Sequence, residues 1–293
     1  MMMCSGNEPA GAARPCVEQA RTNRAGASPL DRIKHISLKL RERILLWRTL
    51  PARRLVQIIA AHRLWSESLH REGARAVLSG ILLKGADLAN SELPGADLSG
   101  ADLTASTMRM SDLREADLSG ACLHRADLRD ADLRQVNLSR AQAVDADLSR
   151  ANLGLADLSR ATMTGAILKS ATLYRASLKG AELDGADLSG ADLREANLSQ
   201  TDLRRTDLSH ANLTQANLSG ADLAQANLAF AHLFRALLRG ADLRGADLQA
   251  ADLTGADLRQ ADLSQARLTA EQAASAVFDE TTTLPAGLTP ADR

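Results

Sequence analysis

Residues 96–105 read ADLSG ADLTA, and this five-residue pattern decides the fold. The pattern forms 39 consecutive pentapeptides over residues 76–270, without a single insertion or deletion. The central residue is leucine in every pentapeptide except those centred on Met108, Ala143 and Met163. The residue two before the centre is small and usually alanine, and the residue between them is usually Asp or Asn. The chain is therefore a repeat protein, and the period determines which structure it can form.

A period of five fits neither an α-helix nor an ordinary strand. A helix turns about 100° per residue, so a leucine at every fifth position would drift around its surface. A strand would need apolar residues at every second position. A coil with flat sides solves the problem if each pentapeptide forms one side of a square. Four pentapeptides then make a 20-residue turn, with the central leucine and the small residue both pointing inward.

Repeats such as Ala96-Asp97-Leu98 and Ala241-Asp242-Leu243 closely resemble the pentapeptide repeat family. The resemblance covers about two thirds of the chain. It implies an all-β solenoid, a right-handed quadrilateral β-helix of about ten 20-residue coils with a short N-terminal α-helical cap. With strands stacked about 4.8 Å apart, ten coils would be roughly 47 Å long.

Residues at equivalent places in successive coils stack on each other, so an unusual residue can be compensated by its neighbour. Met163 lies one full coil after Ala143. A long, flexible methionine can fill the space that a missing leucine leaves. We therefore predict that Met163 repairs the packing beside Ala143.

The charge of the chain is unevenly distributed, although its net value is only −1. Residues 1–75 contain 14 basic and 6 acidic groups, and residues 76–270 contain 20 basic and 26 acidic groups. This change divides the chain into a disordered tail (1–28), a basic amphipathic helical cap (29–75), the repeats (76–270), and a terminal coil with a C-terminal tail (271–293).

The N-terminal cap is predicted from helix signals before the repeats. Residues 28–31 read SPLD, an N-terminal helix signature, and Pro51 separates a second helix. The second helix carries an apolar stripe of Leu55, Ile58, His62, Trp65 and Leu69. His62 and Trp65 are the candidate capping residues, and one of the two helices should cover the outward apolar side chains of residues 77 and 82. A cap is expected because an open β-helix exposes unpaired strand edges.

The C-terminal end should be closed by the segment after the repeats. Ala276-Val277-Phe278 restores the spacing of small and central residues, with phenylalanine in the central place. Phe278 is therefore the predicted plug of this end. Residues 286–293 are expected to be loose.

Little in the sequence suggests catalysis or a cofactor. Cys4, Cys16 and Cys122 lack the spacing of a zinc site or a disulfide framework, which favours a reducing compartment. The histidines at 124, 210 and 232 occupy different repeat positions, and no serine has an adjacent histidine to activate it. Without a secretory segment or a membrane span, we predict a cytoplasmic protein that is not an enzyme and binds no metal or cofactor.

Specificity should lie where outward residues depart from the repeat. Tyr174 and Phe234 occupy the same outward column, in which Arg194 also lies, and other unusual residues cluster near Phe234. Aromatic and arginine side chains together are typical of binding hot spots. The candidate partner-binding residues are Tyr174, Arg194, Phe230, His232, Phe234, Arg235 and Leu237. We predict that they contact a protein partner or a second copy of the chain.

Three functions follow, of which a scaffold for protein-protein interaction is favoured. The resemblance also implies DNA mimicry, since family members that confer quinolone resistance protect gyrase in this way. Mimicry needs dense, unpaired negative charge, which the near balance of charges in the repeats does not supply. In the third alternative, residues 31–75 bind an anionic membrane surface through their 11 basic groups, with nucleic acid a less favoured ligand.

Overall fold

The computed structural model describes residues 50–288. The predicted tail (1–28), the first predicted helix and residues 289–293 lie outside the described residues. Within the described range, the chain forms a β-helix solenoid flanked by two helices, α1 (Ala52–Glu67) and α2 (Ala270–Ser275).

Each side of the solenoid pairs with the equivalent side of the next coil. Parallel β-bridges join the second residue of one pentapeptide to the second residue of the fourth pentapeptide after it, from Val77 with Asp97 to Asp247 with Arg267. The bridges are single residues, so short contacts stacked in ladders replace long strands. The predicted 20-residue coil with four pentapeptides per turn is thereby confirmed.

The pentapeptide of residues 96–100 shows where the backbone amides of a repeat form their hydrogen bonds. Asp97 N donates to the preceding coil at Ala76 O (2.9 Å), and Leu98 N donates to the following coil at Asp117 O (2.7 Å). The turn closes where Ala101 N donates to Leu98 O (3.1 Å). Ser99 N instead donates to the carboxylate of Asp97, at 3.0 Å.

This last bond explains the preference for Asp or Asn at the second position. The short side chain accepts the fourth N–H of its own pentapeptide, which is a local Asx-type bond. The same bond recurs where asparagine replaces aspartate, for example from Ser139 N to Asn137 Oδ1 at 3.1 Å. The Asp or Asn of each such pentapeptide therefore has a structural role in addition to its outward position.

The fifth residue of the pentapeptides turns the chain through a left-handed conformation. Its φ is positive at non-glycine residues such as Arg160 (59°) and Phe230 (59°). A positive φ at the third of four turn residues is the requirement of a type II turn. Each non-glycine residue at this place costs roughly 1 kcal/mol of backbone strain.

The interior consists almost wholly of leucine and alanine. The central leucines and the small residues before them are buried in one continuous cluster, except that Ile81, Ala86 and Leu268 near the ends of the repeats are only partly buried. The three exceptions to leucine are buried too: Met108 is 0% exposed, Ala143 3% and Met163 2%. The core is thus a stack of equivalent layers.

Helix α1 lies against the first coil. It begins after Pro51, whose carbonyl accepts the amides of Arg54 and Leu55. Leu55 is buried, and Ile58 packs against the core of the solenoid. The predicted stripe is too long at its C-terminal end, because Leu69 follows the helix with φ 54° and is 78% exposed.

Helix α1 does not cover residue 77, and the first predicted helix, the other candidate for this role, lies outside the described residues. The Val77 side chain is 63% exposed, whereas Leu82 is half-buried. Helix α1 packs on the edge of the first coil through Leu55 and Ile58, so it leaves the outward side of Val77 open to solvent.

At the C-terminal end, α2 interrupts the repeat before a last, irregular turn. Thr269 and Gln272 form a capping box, and Gln272 Nε2 also donates to the carbonyls of Leu248 (2.6 Å) and Ala251 (2.8 Å). The chain then pairs Asp257 with Val277 and Asp262 with Thr283. The first of these bridges joins residues 20 positions apart, as in a regular coil, whereas the second joins residues 21 positions apart. This last turn is therefore one residue longer than a regular coil. Phe278 is partly buried against the core.

Cys122 is the one cysteine within the described residues. It occupies an outward position, yet its side chain is only 4% exposed. Cys4 and Cys16 lie outside the described residues, so the expectation drawn from the cysteine pattern stays a prediction.

Candidate functional site

Seven pairs of opposite outward charges form within a single pentapeptide. Where the second residue is Asp and the fourth is Arg, the guanidinium folds back on the carboxylate. Arg194, for example, donates to Asp192 at 2.8 Å and 2.7 Å. The same bidentate pair forms at 112/114, 127/129, 132/134, 202/204, 242/244 and 257/259. In each of these seven pentapeptides, arginine neutralises the outward aspartate.

Pairing also changes the ionisation of these groups. The bond from Arg194 lowers the pKa of Asp192, and the bond to Asp192 raises the pKa of Arg194. Both groups stay charged near neutral pH, so the pair presents almost no net charge. Since such pairs are exposed, their contribution to stability is small.

Tyr174 is the centre of a polar cluster on one face of the solenoid. Its ring lies beneath two guanidinium groups, those of Arg175 (5.0 Å) and Arg194 (5.6 Å). Its hydroxyl donates to Glu195 at 3.2 Å, and Arg175 donates to the same carboxylate at 2.7 Å. These bonds lower the pKa of Glu195. The cluster is a rigid, neutral platform with an aromatic ring in it.

A second cluster lies on the coil that contains residues 230–237. Phe230 is 54% exposed and stacks in parallel on His210, with ring centroids 5.0 Å apart. Phe234 is half-buried, and the guanidinium of Arg235 lies 5.1 Å from the centre of its ring. Leu237 is 45% exposed. His232 is exposed between the two phenylalanines.

The seven predicted binding residues are thus divided between two clusters. Tyr174 and Arg194 belong to the platform, whereas the other five lie on the second cluster. Tyr174 and Phe234 share one column but are three coils apart, roughly 14 Å at a spacing of about 4.8 Å. One binding surface can span both clusters only if its partner is extended along the solenoid.

Sequence reasoning missed a depression next to Tyr174. It has a volume of about 350 Å³ and surrounds Gly154, with Arg114, Arg134, Asn152, Leu155, Thr172 and Tyr174 among its lining residues. Leu155 at its edge is 52% exposed. We call this depression the Gly154 notch. The signal was present in the sequence, since Gly154 interrupts a column of long side chains at 114, 134, 174 and 194.

The candidate capping residue His62 joins α1 to the edge of the first coil. It is completely buried, Ala76 N donates to its Nδ1 (2.9 Å), and its Nε2 lies 3.0 Å from Pro94 O. An amide can only donate and a carbonyl can only accept, so Nε2 carries the proton and the ring is neutral. The carbonyl of Pro94 lies in the first coil and has no preceding coil to donate to it, and the amide of Ala76 has no preceding repeat to supply the carbonyl that closes a regular turn.

Trp65, the second candidate capping residue, lies on the same helix as His62. Its ring stacks on His62 (5.2 Å) and on His70 (3.9 Å). The chain then leaves the helix through Gly73, with φ 77°. A side chain at Gly73 would lie 2.1 Å from Ala61 O, so only glycine fits there.

Acidification should weaken the attachment of α1. Burial is the main cause that lowers the pKa of His62, and the charge of Arg75 adds to it, although the bond to Pro94 acts in the opposite direction. An unfolded segment therefore takes up a proton at a higher pH than the folded one. The stability that neutral His62 provides is complete above about pH 6.5 and is lost as the pH falls through the lowered value.

We expect hydrogen exchange of the amides in α1 to accelerate between pH 7 and pH 5, after correction for the intrinsic exchange rate. Amides of a central coil, such as those of residues 171–190, serve as the internal control. Equal protection of α1 at both pH values would contradict this prediction.

The described residues contain neither a group of metal-ligating side chains nor a helix that could span a membrane. Across residues 50–288, no group of three or more His, Cys, Asp or Glu side chains is arranged to hold a metal ion. No helix in the same range is long and apolar enough to cross a lipid bilayer.

Comparison with known families agrees with the repeat. The family model described as pentapeptide repeats matches in eight copies, over residues 81–120, 111–150, 121–160, 144–180, 156–194, 171–209, 191–229 and 231–269. No functionally curated protein matches the chain.

Several solved structures match the chain. HetL, a pentapeptide repeat protein involved in heterocyst differentiation regulation from the cyanobacterium Nostoc sp. strain PCC 7120, is 36% identical; the match covers 77% of this chain and 96% of HetL, with a TM-score of 0.38. A pentapeptide repeat protein from the Arabidopsis thaliana thylakoid lumen is 32% identical, with coverages of 39% and 65% and a TM-score of 0.27. QnrB1, a plasmid-mediated fluoroquinolone resistance protein, is 19% identical, with coverages of 71% and 91% and a TM-score of 0.28.

Proposed function

The chain belongs to the pentapeptide repeat family, and on this premise we propose that it is a non-enzymatic scaffold that binds another protein through the flat faces of its β-helix. The rigid stack of equivalent coils supports this proposal, because it presents outward side chains at fixed spacing. The faces are also largely neutral, so recognition depends on the few residues that depart from the repeat.

The observation that carries the proposal is the second cluster, residues 230–237. Phe230 ends one side of a coil and Leu237 lies two pentapeptides later, so a partner contacts both only by reaching across the side between them; the other outward residues of the solenoid are mostly polar. Exposed aromatic and aliphatic groups on a mostly polar surface are typical of an interaction hot spot. Burying them against a partner would remove apolar surface from water.

DNA mimicry fits the charges less well. A mimic must present unpaired negative charge at the spacing of phosphates. Here seven aspartates of the outer rows are neutralised by an arginine two residues later. Association with a membrane surface concerns residues 31–75, of which 31–49 lie outside the described residues, so that alternative stays a prediction.

Substitutions that restore the repeat test the scaffold function without harming the fold. Gln is common at the fifth position, as at Gln200 and Gln225, and Asn217 stands one coil before Leu237 in its column. We expect Phe230→Gln with Leu237→Asn to weaken capture of the protein partner by at least about 30-fold, the size of a hot-spot loss. The measurement is affinity capture with quantitative mass spectrometry, followed by titration of the captured partner.

Met110→Gln is the matched control, because Met110 is 59% exposed and lies in the same outward column as Phe230. It should leave capture unchanged. If the double variant keeps every partner that the parent captures, this coil is not the binding surface.

A further inference from the structure

We propose that the Gly154 notch binds a neutral aromatic side chain presented by a different protein, held between Arg134 and Tyr174. This inference rests on the proposed function, because it names the chemical group that a protein partner would insert into this face. It concerns a different place from the exposed coil around Phe230.

The width of the notch follows from the spacing of the coils. Arg134, Gly154 and Tyr174 are consecutive members of one column, each on the coil after the last. Arg134 and Tyr174 are therefore two coil spacings apart, or roughly 9.6 Å. A flat ring in van der Waals contact on both faces needs about 7 to 8 Å. One aromatic ring fits this gap.

The walls of the notch are suited to a ring. A side chain on Gly154 would begin 3.9 Å from Cγ of Arg134, so the methylene stem of this arginine borders the space. Tyr174 forms the opposite wall, and Leu155 supplies an exposed apolar edge. Arginine stems and aromatic rings both stack favourably on another aromatic ring.

The charges around the notch favour a neutral occupant. Arg134 is already held by Asp132 through bonds of 2.9 Å and 2.6 Å. The ring of Tyr174 already faces two guanidinium groups, and its hydroxyl is bonded to Glu195. A cation would find the ring of Tyr174 already facing two guanidinium groups, and an anion would have to displace the bidentate carboxylate of Asp132. A neutral ring disturbs neither pair.

The aromatic rings of the described chain are engaged in other contacts. Trp65 stacks on His62 and His70, Phe230 stacks on His210, and Phe234 lies beneath Arg235. Phe278 packs against the core. Each of these rings thus has a contact within its own chain, which favours a ring from a different protein over one from residues 50–288 of a second copy.

Tyr174 provides a direct readout, because it is the single tyrosine of the chain. The full chain labelled with 3-fluorotyrosine gives one protein ¹⁹F resonance. Titration with N-acetyltryptophanamide should shift this resonance in a saturable way. Equal concentrations of N-acetylleucinamide and N-acetylargininamide should leave it in place.

Filling the notch is the decisive variant. Gly154→Arg continues the column of arginines at 114 and 134, and φ at Gly154 lies outside the left-handed region, so a side chain adds no backbone strain. The atom nearest to the new side chain would be Oδ1 of Asn152 at 3.3 Å, which is the Asx-type acceptor of this pentapeptide and can shift slightly. The saturable shift should disappear in this variant. Ser219→Arg, at the fourth position of a neighbouring face, is the matched control and should keep the shift.

Three results would overturn the inference: no saturable shift with the tryptophan probe, an equal shift with the leucine probe, or a shift that survives Gly154→Arg. Light scattering adds a fourth, since a parent dimer that becomes a monomer in Gly154→Arg would identify a second copy as the occupant. If the probe fails to bind while Phe230→Gln with Leu237→Asn still loses the partner, the notch inference falls and the proposed scaffold function stands.

Discussion

Replacing His62 by alanine is expected to open the N-terminal end of the solenoid. The change leaves the amide of Ala76 and the carbonyl of Pro94 without their partner, and each unsatisfied buried group costs about 1–3 kcal/mol. We expect a total loss of roughly 3 kcal/mol, equivalent to about 100-fold faster amide exchange in α1 and the first coil. Because each coil contacts only its neighbours, amides of the central coils should keep their protection.

His70→Ala is the control for the His62 variant. His70 is exposed and stacks on Trp65 without bonding to the edge of the first coil. Its removal should cost no more than about 1 kcal/mol. Comparable exchange rates in the two variants would show that stacking, rather than the two edge bonds, attaches α1.

Met163→Ala should be the more damaging of two identical core substitutions. Met163 and Met108 are both buried at the central position of a pentapeptide. Methionine-to-alanine changes in a core cost about 2–5 kcal/mol, and the cost rises with the cavity that remains. Ala143 occupies the central position one coil before Met163 and leaves space that Met163 is predicted to fill. The cavity that Met163→Ala creates would therefore join this space. We expect a loss near 5 kcal/mol for Met163→Ala and about 3 kcal/mol for Met108→Ala.

Urea unfolding of both variants measures this difference. Ala143→Leu provides an independent check: alone it should overpack the layer and cost about 1–3 kcal/mol, whereas it should restore stability when combined with Met163→Ala. Equal losses for the two methionine variants, together with additive effects of Ala143→Leu and Met163→Ala, would refute the predicted compensation.

The repeat itself could be predicted because the information is local and redundant. Every pentapeptide repeats the same inward and outward places, and the family model matches the same residues. The bridges between successive coils confirm the coil that the period implied. The Asx-type role of residues such as Asp97 was missed, because it depends on which amides the stacked backbone leaves unpaired.

The ends of the repeat were harder to predict than the repeat. A cap was expected from the basic segment before residue 76, but the stripe on α1 was extended to Leu69, which lies beyond the helix and is exposed. Helix α2 and the enlarged last turn were not predicted. There the backbone departs from the period, so each contact depends on a single residue such as Gln272.

The sequence by itself determined the repeat, its extent and its leucine-alanine core, because a period of five lets both inward positions be buried when each pentapeptide forms one flat side of a coil; the bridges 20 residues apart show four sides per turn. The tertiary structure alone decided how the exceptions are used. It placed Tyr174 and Phe230 in separate clusters, aimed both ring nitrogens of His62 at the edge of the first coil, and left Gly154 as a gap between Arg134 and Tyr174. These contacts join residues that are far apart along the chain, so their geometry exists only once the coils are stacked.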